Sequence, residues 1–261
     1  IAAVTPAPPP AEEEKRPDPV RPATVKTPSR SGPFIIVVDA GHGGQDPGAR
    51  GFSLEEKGVC LEVARSVVEE LNRREGYRAF LTRDSDMFIP LRGRTKIAET
   101  KDADAFVSIH ANASRSSSAH GTEVYFLSLS GATDEASREL ARLENSADLM
   151  GGVTPEAEDD LSGILFDMQQ TDVQQKGSLL AESVVNSLRN YEVLTTRGVK
   201  QAGFVVLKSP RIPSILVETA FITNPSENKR LKSGSFKKTF SRRVAEGIVR
   251  YFESVSVAEL R

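Results

Sequence analysis

Short apolar runs alternate along this chain with stretches whose apolar residues recur every three or four positions. That alternation restricts the fold to the α/β class. The runs lie at 34–38, 77–82, 105–110, 122–127, 203–207 and 214–218. Between them Cys60, Leu61, Ala64, Val67, Val68 and Leu71 trace one helical face, with Gly76 as its stop. Pro90 opens a helix through Thr100, and Phe236, Phe240, Val244, Ile248 and Tyr251 mark a closing amphipathic helix. The pattern predicts a mixed, mostly parallel central sheet flanked by helices on both faces. From 131 to 191 no strand is expected. Leu140, Leu143, Ala147 and Met150 form one stripe; Leu161, Ile164, Leu165 and Met168 a second; Ala181, Val184 and Leu188 a third. The third reads as a crossover helix. The first two, with Gly151-Gly152 and the acidic residues 156–160, read as an inserted helical segment over 131–176.

Composition changes sharply near residue 34. Residues 1–33 hold nine of the 15 prolines, nine charges and no aromatic residue. Such a segment cannot bury enough apolar surface to offset its ordering entropy and is expected to be a disordered tether. The folded domain is expected over 34–253, with 254–261 as a tail. A net charge of -2 and a pI near 6.1 give no basis for a nucleic-acid partner. No apolar run reaches the roughly 18 residues of a membrane span. The single cysteine, Cys60, fits the apolar face of its helix and excludes an internal disulfide.

The first run ends in Asp39-Ala40-Gly41-His42-Gly43-Gly44, a strand end that glycine lets approach a ligand closely. His42 lies just past that strand and His110 ends another, while Glu56 lies at the start of a helix. Two histidines and a carboxylate are a ligand set for catalytic zinc, which leaves a fourth position for water. Magnesium or calcium would call for mostly oxygen ligands, and no thiolate cluster suggests structural zinc. Glu218 directly follows a buried apolar strand, where an unpaired charge is costly. It reads as a general base beside the metal, or else as the ion-pair partner of Arg83 or Arg211.

Four blocks together carry a family resemblance. They are Asp39-Ala40-Gly41-His42-Gly43-Gly44 with Asp46-Pro47-Gly48; Glu56-Lys57; Ser108-Ile109-His110-Ala111-Asn112; and Val217-Glu218-Thr219-Ala220-Phe221-Ile222-Thr223-Asn224. In this order the chain resembles the zinc-dependent N-acetylmuramoyl-L-alanine amidases of bacterial cell-wall turnover. The resemblance implies one Zn2+ held by His42, Glu56 and His110, with Glu218 as the catalytic glutamate and peptidoglycan as substrate. Glu55 precedes Glu56 directly; the adjacent Lys57 favours Glu56. Glycine is common in the family at Ala220 and serine at Thr223, both small changes. Arg83, Arg94 and Asn112 occur in family-like contexts, with Asn112 and Arg83 expected near substrate. His120 matches no ligand position.

The inserted stripes resemble those of division amidases of the AmiB and AmiC kind. There an inserted helix closes the site and supplies a carboxylate as fourth zinc ligand. The segment 143–152 points to Glu144 in that role, although periodicity alone does not separate it from Glu139. The resemblance then implies autoinhibition relieved by an activator with a LytM-type domain, docking on Ile164, Leu165 and Met168. It also implies daughter-cell separation as the role, a monomer, and a periplasmic or other envelope location. The rival readings are a zinc peptidase cutting within the stem peptide and a non-catalytic peptidoglycan-binding module.

Overall fold

The computed structural model describes residues 32–153, 163–189, 191 and 194–258, with the side chains of 163–170 and 256–258 excepted. The expected tether therefore falls outside the described residues, apart from Gly32 and Pro33. The side chains of Ile164, Leu165 and Met168 fall outside them as well.

The chain forms β1 (Phe34–Ala40), α1 (Glu56–Asn72), β2 (Tyr77–Leu81), α2 (Leu91–Thr100), β3 (Ala105–His110) and β4 (Thr122–Leu127). There follow α3 (Glu135–Asn145), α4 (Ala147–Met150), α5 (Gly163–Arg189), β5 (Thr196–Ala202), β6 (Ser214–Glu218), α6 (Pro225–Leu231) and α7 (Gly234–Ala258). One six-stranded sheet has the order β2-β1-β3-β6-β4-β5. Every neighbouring pair is parallel except β4 with β6. This is the mixed, mostly parallel sheet the sequence predicts.

Alternation along the strands explains both faces. Ile36, Val38, Val107, Ile109, Ile215 and Val217 point one way and are covered by α1, α5 and α7 through residues such as Val63, Val67, Val184 and Phe240. That face is apolar from end to end. The opposite face begins with Val37, Phe106 and Leu216, packed with Leu91, Leu140 and Ala147 of the helices above. Further along the same strands, at their C-terminal ends, it turns polar: Asp39, Ser108, His110 and Glu218 are all buried there. A parallel α/β sheet places its site at that edge.

Four local expectations differ from the fold. Residues 203–207 form no strand; Val205–Leu207 is a single 3-10 turn whose apolar residues fill the core beneath α2. A short apolar run signals burial before it signals a strand. The sixth strand is instead β5, whose Arg197, Lys200 and Gln201 hide it from an apolar pattern, as suits an edge strand. From Ile164 onward the second stripe and the third belong to one continuous helix, α5, and the expected boundary at 176 lies inside it; Leu161 falls outside the described residues. The first stripe breaks at Ser146 into α3 and α4. The expected tail from 254 begins within α7.

Candidate metal centre

The loop after β1 presents His42 in the left-handed region, at φ 58°, a conformation that costs a non-glycine residue about 1 kcal/mol or more unless its surroundings hold it. Two buried arginines do the holding. Arg83 donates from Nε to the carbonyl of Ala40 (3.0 Å) and from Nη2 to those of Gly41 (2.7 Å) and Lys57 (2.8 Å). Its Nη1 reaches Ser85 O at 3.0 Å. Arg94 donates to Ala40 O (2.9 Å) and His42 O (3.0 Å), and contacts Asp39 at 3.3 Å. Asp39 also accepts from Thr82 (2.6 Å) and Ser108 (2.7 Å). Burial pushes the Asp39 carboxyl up, but Arg94 and the two hydroxyls outweigh it and hold it below the usual range. Arg83 thus clamps the loop from beneath, with four of its N–H groups on backbone oxygens.

Close approach completes the loop. A Cβ on Gly41 would lie 2.6 Å from the His110 ring, and one on Gly48 2.6 Å from His42 Cδ2 and 2.7 Å from Glu56 Oε2. Glycine at those positions lets the loop, α1 and β3 meet. Asp46 accepts from His42 Nδ1 at 2.8 Å, so in the neutral ring Nε2 carries the free lone pair. Glu56, the first residue of α1, is anchored by Ala49 N to Oε2 (2.8 Å) and Ala111 N to Oε1 (2.9 Å).

Four donor atoms converge. Glu56 Oε1 is 3.1 Å from both His42 Nε2 and His110 Nδ1, and Glu144 Oε2 is 3.4 Å and 3.0 Å from the same two nitrogens. All four lie within 4.8 Å of one another and could hold a metal ion. His42 Nε2 and Glu144 Oε2 are buried and make no hydrogen bond to any described residue. Among these protein groups alone, burial lowers the imidazoles, but the carboxylates prevail: Glu56 and Glu144 raise His42 well above normal, and His110 rises to about 10. Burial opposes ionisation of Glu56 too, yet the two histidines hold it far below its usual value. The cluster therefore demands positive charge at its centre.

Glu218 is wholly buried, and neither carboxylate oxygen has a hydrogen bond. It is the register partner of His110 on β3 and of Glu123 on β4, so all three project from one face. Burial pushes its carboxyl well up; Glu56, Glu144 and Glu123 add to this and His110 opposes it. A pocket of about 260 Å³ opens beside the cluster, lined by His42, Glu56, Asn112, Leu143, Glu144 and Met150 among others. His120 is exposed, bonded to Ser118 O, and takes no part. Glu55 is half exposed and pairs with Arg50.

Glu144 reaches the cluster from α3, whose N-cap Asp134 accepts from Ser137 N. Glu139, on the same helix, is exposed and pairs with Arg142. Several buried carboxylates have no role in the sequence reading, among them Asp39, Asp46 and Glu123. Asp46 sits within a quoted motif without a role. Glu123 interrupts an apolar strand, which is the signal that singles out Glu218.

Known proteins match this chain over most of its length. The family model described as N-acetylmuramoyl-L-alanine amidase matches residues 36–250. The chain is 40% identical over 224 residues to AmiC of Escherichia coli O6:H1, covering 85% of this chain and 54% of that protein. It is 40% identical over 229 residues to AmiA of Escherichia coli K12, covering 87% and 79%. The chain thus spans about half the length of the AmiC relatives it matches. Among solved structures, AmiC2 of Nostoc punctiforme superposes with a TM-score of 0.64 at 33% identity, covering 84% of this chain and 97% of that one. With its fold and most of its length matched, the chain belongs to the N-acetylmuramoyl-L-alanine amidase family.

Proposed function

We propose that this chain hydrolyses the amide between the lactyl group of N-acetylmuramic acid and the L-alanine of the peptidoglycan stem, and that it does so with zinc. The observation that carries the reading is the convergence of His42 Nε2, Glu56 Oε1, His110 Nδ1 and Glu144 Oε2 from separate elements. A tetrahedron with arms of about 2.0–2.1 Å, the usual zinc–nitrogen and zinc–oxygen lengths, has edges of about 3.3–3.4 Å. The four separations of 3.0–3.4 Å fit that size. Two imidazoles among the donors favour zinc over magnesium or calcium. When bound, zinc would polarise the scissile carbonyl and the attacking water as a Lewis acid.

The chain's own residues supply the rest. Asp46 holds the His42 ring in the tautomer that offers Nε2. Glu218, raised by burial, accepts the proton of the attacking water and delivers it to the leaving alanine nitrogen. Glu144 belongs to the segment α3–α4 and takes the position that substrate would need. On this reading the chain is autoinhibited, and an activator with a LytM-type domain draws α3–α4 away. Asn112 lines the pocket and would contact substrate. The reading is completed by a monomer in the bacterial envelope, in the periplasm, that serves daughter-cell separation; a peptidoglycan substrate is in keeping with the names of its relatives.

The test combines elemental analysis with digestion of purified peptidoglycan by wild type, Glu144→Ala and Glu218→Ala. The expected result is about one zinc per chain, intact stem peptides with free alanine N-termini, most from Glu144→Ala and none from Glu218→Ala. Fragments cut within the stem would make it a peptidase instead. Zinc bound without release from any variant would leave a binding module.

A further inference from the structure

Glu123 is buried on the polar face of the sheet beside Glu218, and the reaction as proposed gives it no part. Two carboxylates directly opposite on neighbouring strands repel each other, so this placement carries a cost. Four donors offset it. Asn112 Nδ2 reaches Glu123 Oε2 at 2.9 Å and Tyr125 Oη reaches the same oxygen at 2.7 Å. Arg197 Nε and Lys200 Nζ meet Oε1 at 2.6 and 2.9 Å. Arg197 and Lys200 come from β5, so the site wall is tied to the sheet edge.

The consequence falls on Asn112. A carboxylate accepts and cannot donate, so the amide of Asn112 must turn its nitrogen to Glu123. The group Asn112 then offers to the pocket is its carbonyl oxygen, an acceptor. Its backbone is pinned as well, with Ile222 N donating to Asn112 O at 2.7 Å. Asn112 shares the pocket with His42, Glu56 and Glu144. A ligand in that pocket with a peptide-like N–H would meet a prepaid orientation of its acceptor.

We propose that Glu123 is a positioning residue: it locks Asn112 so that Oδ1 accepts an N–H of the stem peptide beside the scissile amide. This rests on the amidase reading above. Glu123 touches no reacting atom and acts through Asn112. Asn112 selects a secondary amide or free N–H over an ester or N-alkylated analogue at that position.

The experiment measures kcat and KM of zinc-loaded wild type, Asn112→Ala, Glu123→Gln and the double variant on a soluble N-acetylmuramoyl peptide, with zinc content and Tm alongside. A glutamine at 123 can donate as well as accept, so it frees the Asn112 amide to flip. Asn112→Ala is expected to raise KM about five- to tenfold, as loss of one hydrogen bond to substrate does. Glu123→Gln should raise KM by a similar or smaller factor, and the double variant should be no worse than Asn112→Ala. A lowered Tm with KM unchanged in Asn112→Ala would overturn the proposal, as would additive losses in the double variant. Should Glu123→Gln not fold, Asn112→Ala alone still decides whether Asn112 reads substrate. Absence of turnover by zinc-loaded wild type and by Glu144→Ala alike would overturn the amidase reading, and this inference with it.

Discussion

Replacing Glu144 by alanine removes one of the four convergent donors and leaves the remaining seat of α3 and α4 in place. Its Oε2 lies 3.4 and 3.0 Å from His42 and His110 as a charged neighbour without a hydrogen bond; the lower part of the range for close charge pairs, about 1.5–3 kcal/mol, sets what its loss removes. The rest of the seat is independent of Glu144. Asn145 donates to Gly203 O (2.9 Å) and accepts from Val205 N (2.8 Å), Asp148 accepts from Leu91 N (2.8 Å), and Gln45 donates to Gly151 O (2.7 Å). Leu140, Ala141 and Ala147 are buried beneath. Losing 1.5–3 kcal/mol from the seated form raises the open fraction roughly 10- to 150-fold, until it approaches unity. Turnover of labelled peptidoglycan by zinc-loaded Glu144→Ala should rise by the same factor. Asn145→Ala keeps the carboxylate and loses two neutral hydrogen bonds, about 1–3 kcal/mol together, so its gain should be of similar size, roughly 5- to 150-fold. Unchanged turnover in Glu144→Ala with zinc retained would refute the reasoning. Activation by Asn145→Ala alone would mean that α3 closes the site by shape, without Glu144 as a ligand.

Two further outcomes are expected. The Ser137 hydroxyl, then the Ser137 backbone N–H and Lys200, hold Asp134 down to about 2 from 3.8. A depressed folded value stabilises above the unfolded one, so the contribution is present above about pH 4 and lost as pH falls towards 2. The shift alone would give about 2.4 kcal/mol, but the carboxyl is 44% exposed, and screening reduces this to about 1 kcal/mol. Urea unfolding of Asp134→Ala against wild type should show that deficit at pH 7 and a shrinking one below pH 4; a constant gap would remove the charge argument. Gly48→Ala must place a methyl 2.6 Å from His42 Cδ2 at φ +64°, so it should cost about 1–3 kcal/mol. Zinc titration by calorimetry should show affinity weakened about 10- to 100-fold, as displaced ligand supports do; unchanged affinity would show that the loop relaxes freely.

Much of the site was legible because its residues break local patterns. Glu218 stands out as a carboxylate closing an apolar strand, and His42 as a side chain among glycines. Glu123 breaks its strand in the same way but belongs to none of the four motif blocks, so the sequence alone assigns it no role. The Arg83 side chain looked free to meet substrate; only the fold shows its guanidinium turned under the loop onto Ala40, Gly41, Ser85 and Lys57. β5 was missed because an edge strand with polar residues lacks the alternation that marks a half-buried one.

The amino-acid order by itself determined the α/β alternation, since helical and strand periods are local and each is written within about ten residues. It also determined the family, through four short blocks. Which side chains meet was decided by the tertiary structure. Glu55 and Glu56 are adjacent, yet only Glu56 turns inward, because it begins α1 against the loop and β3. Glu139 and Glu144 flank the same stripe, yet only Glu144 reaches the histidines. The meeting of residues 42, 56, 110, 144 and 218 requires strand order, register and the docking of α3, none of which a local period encodes.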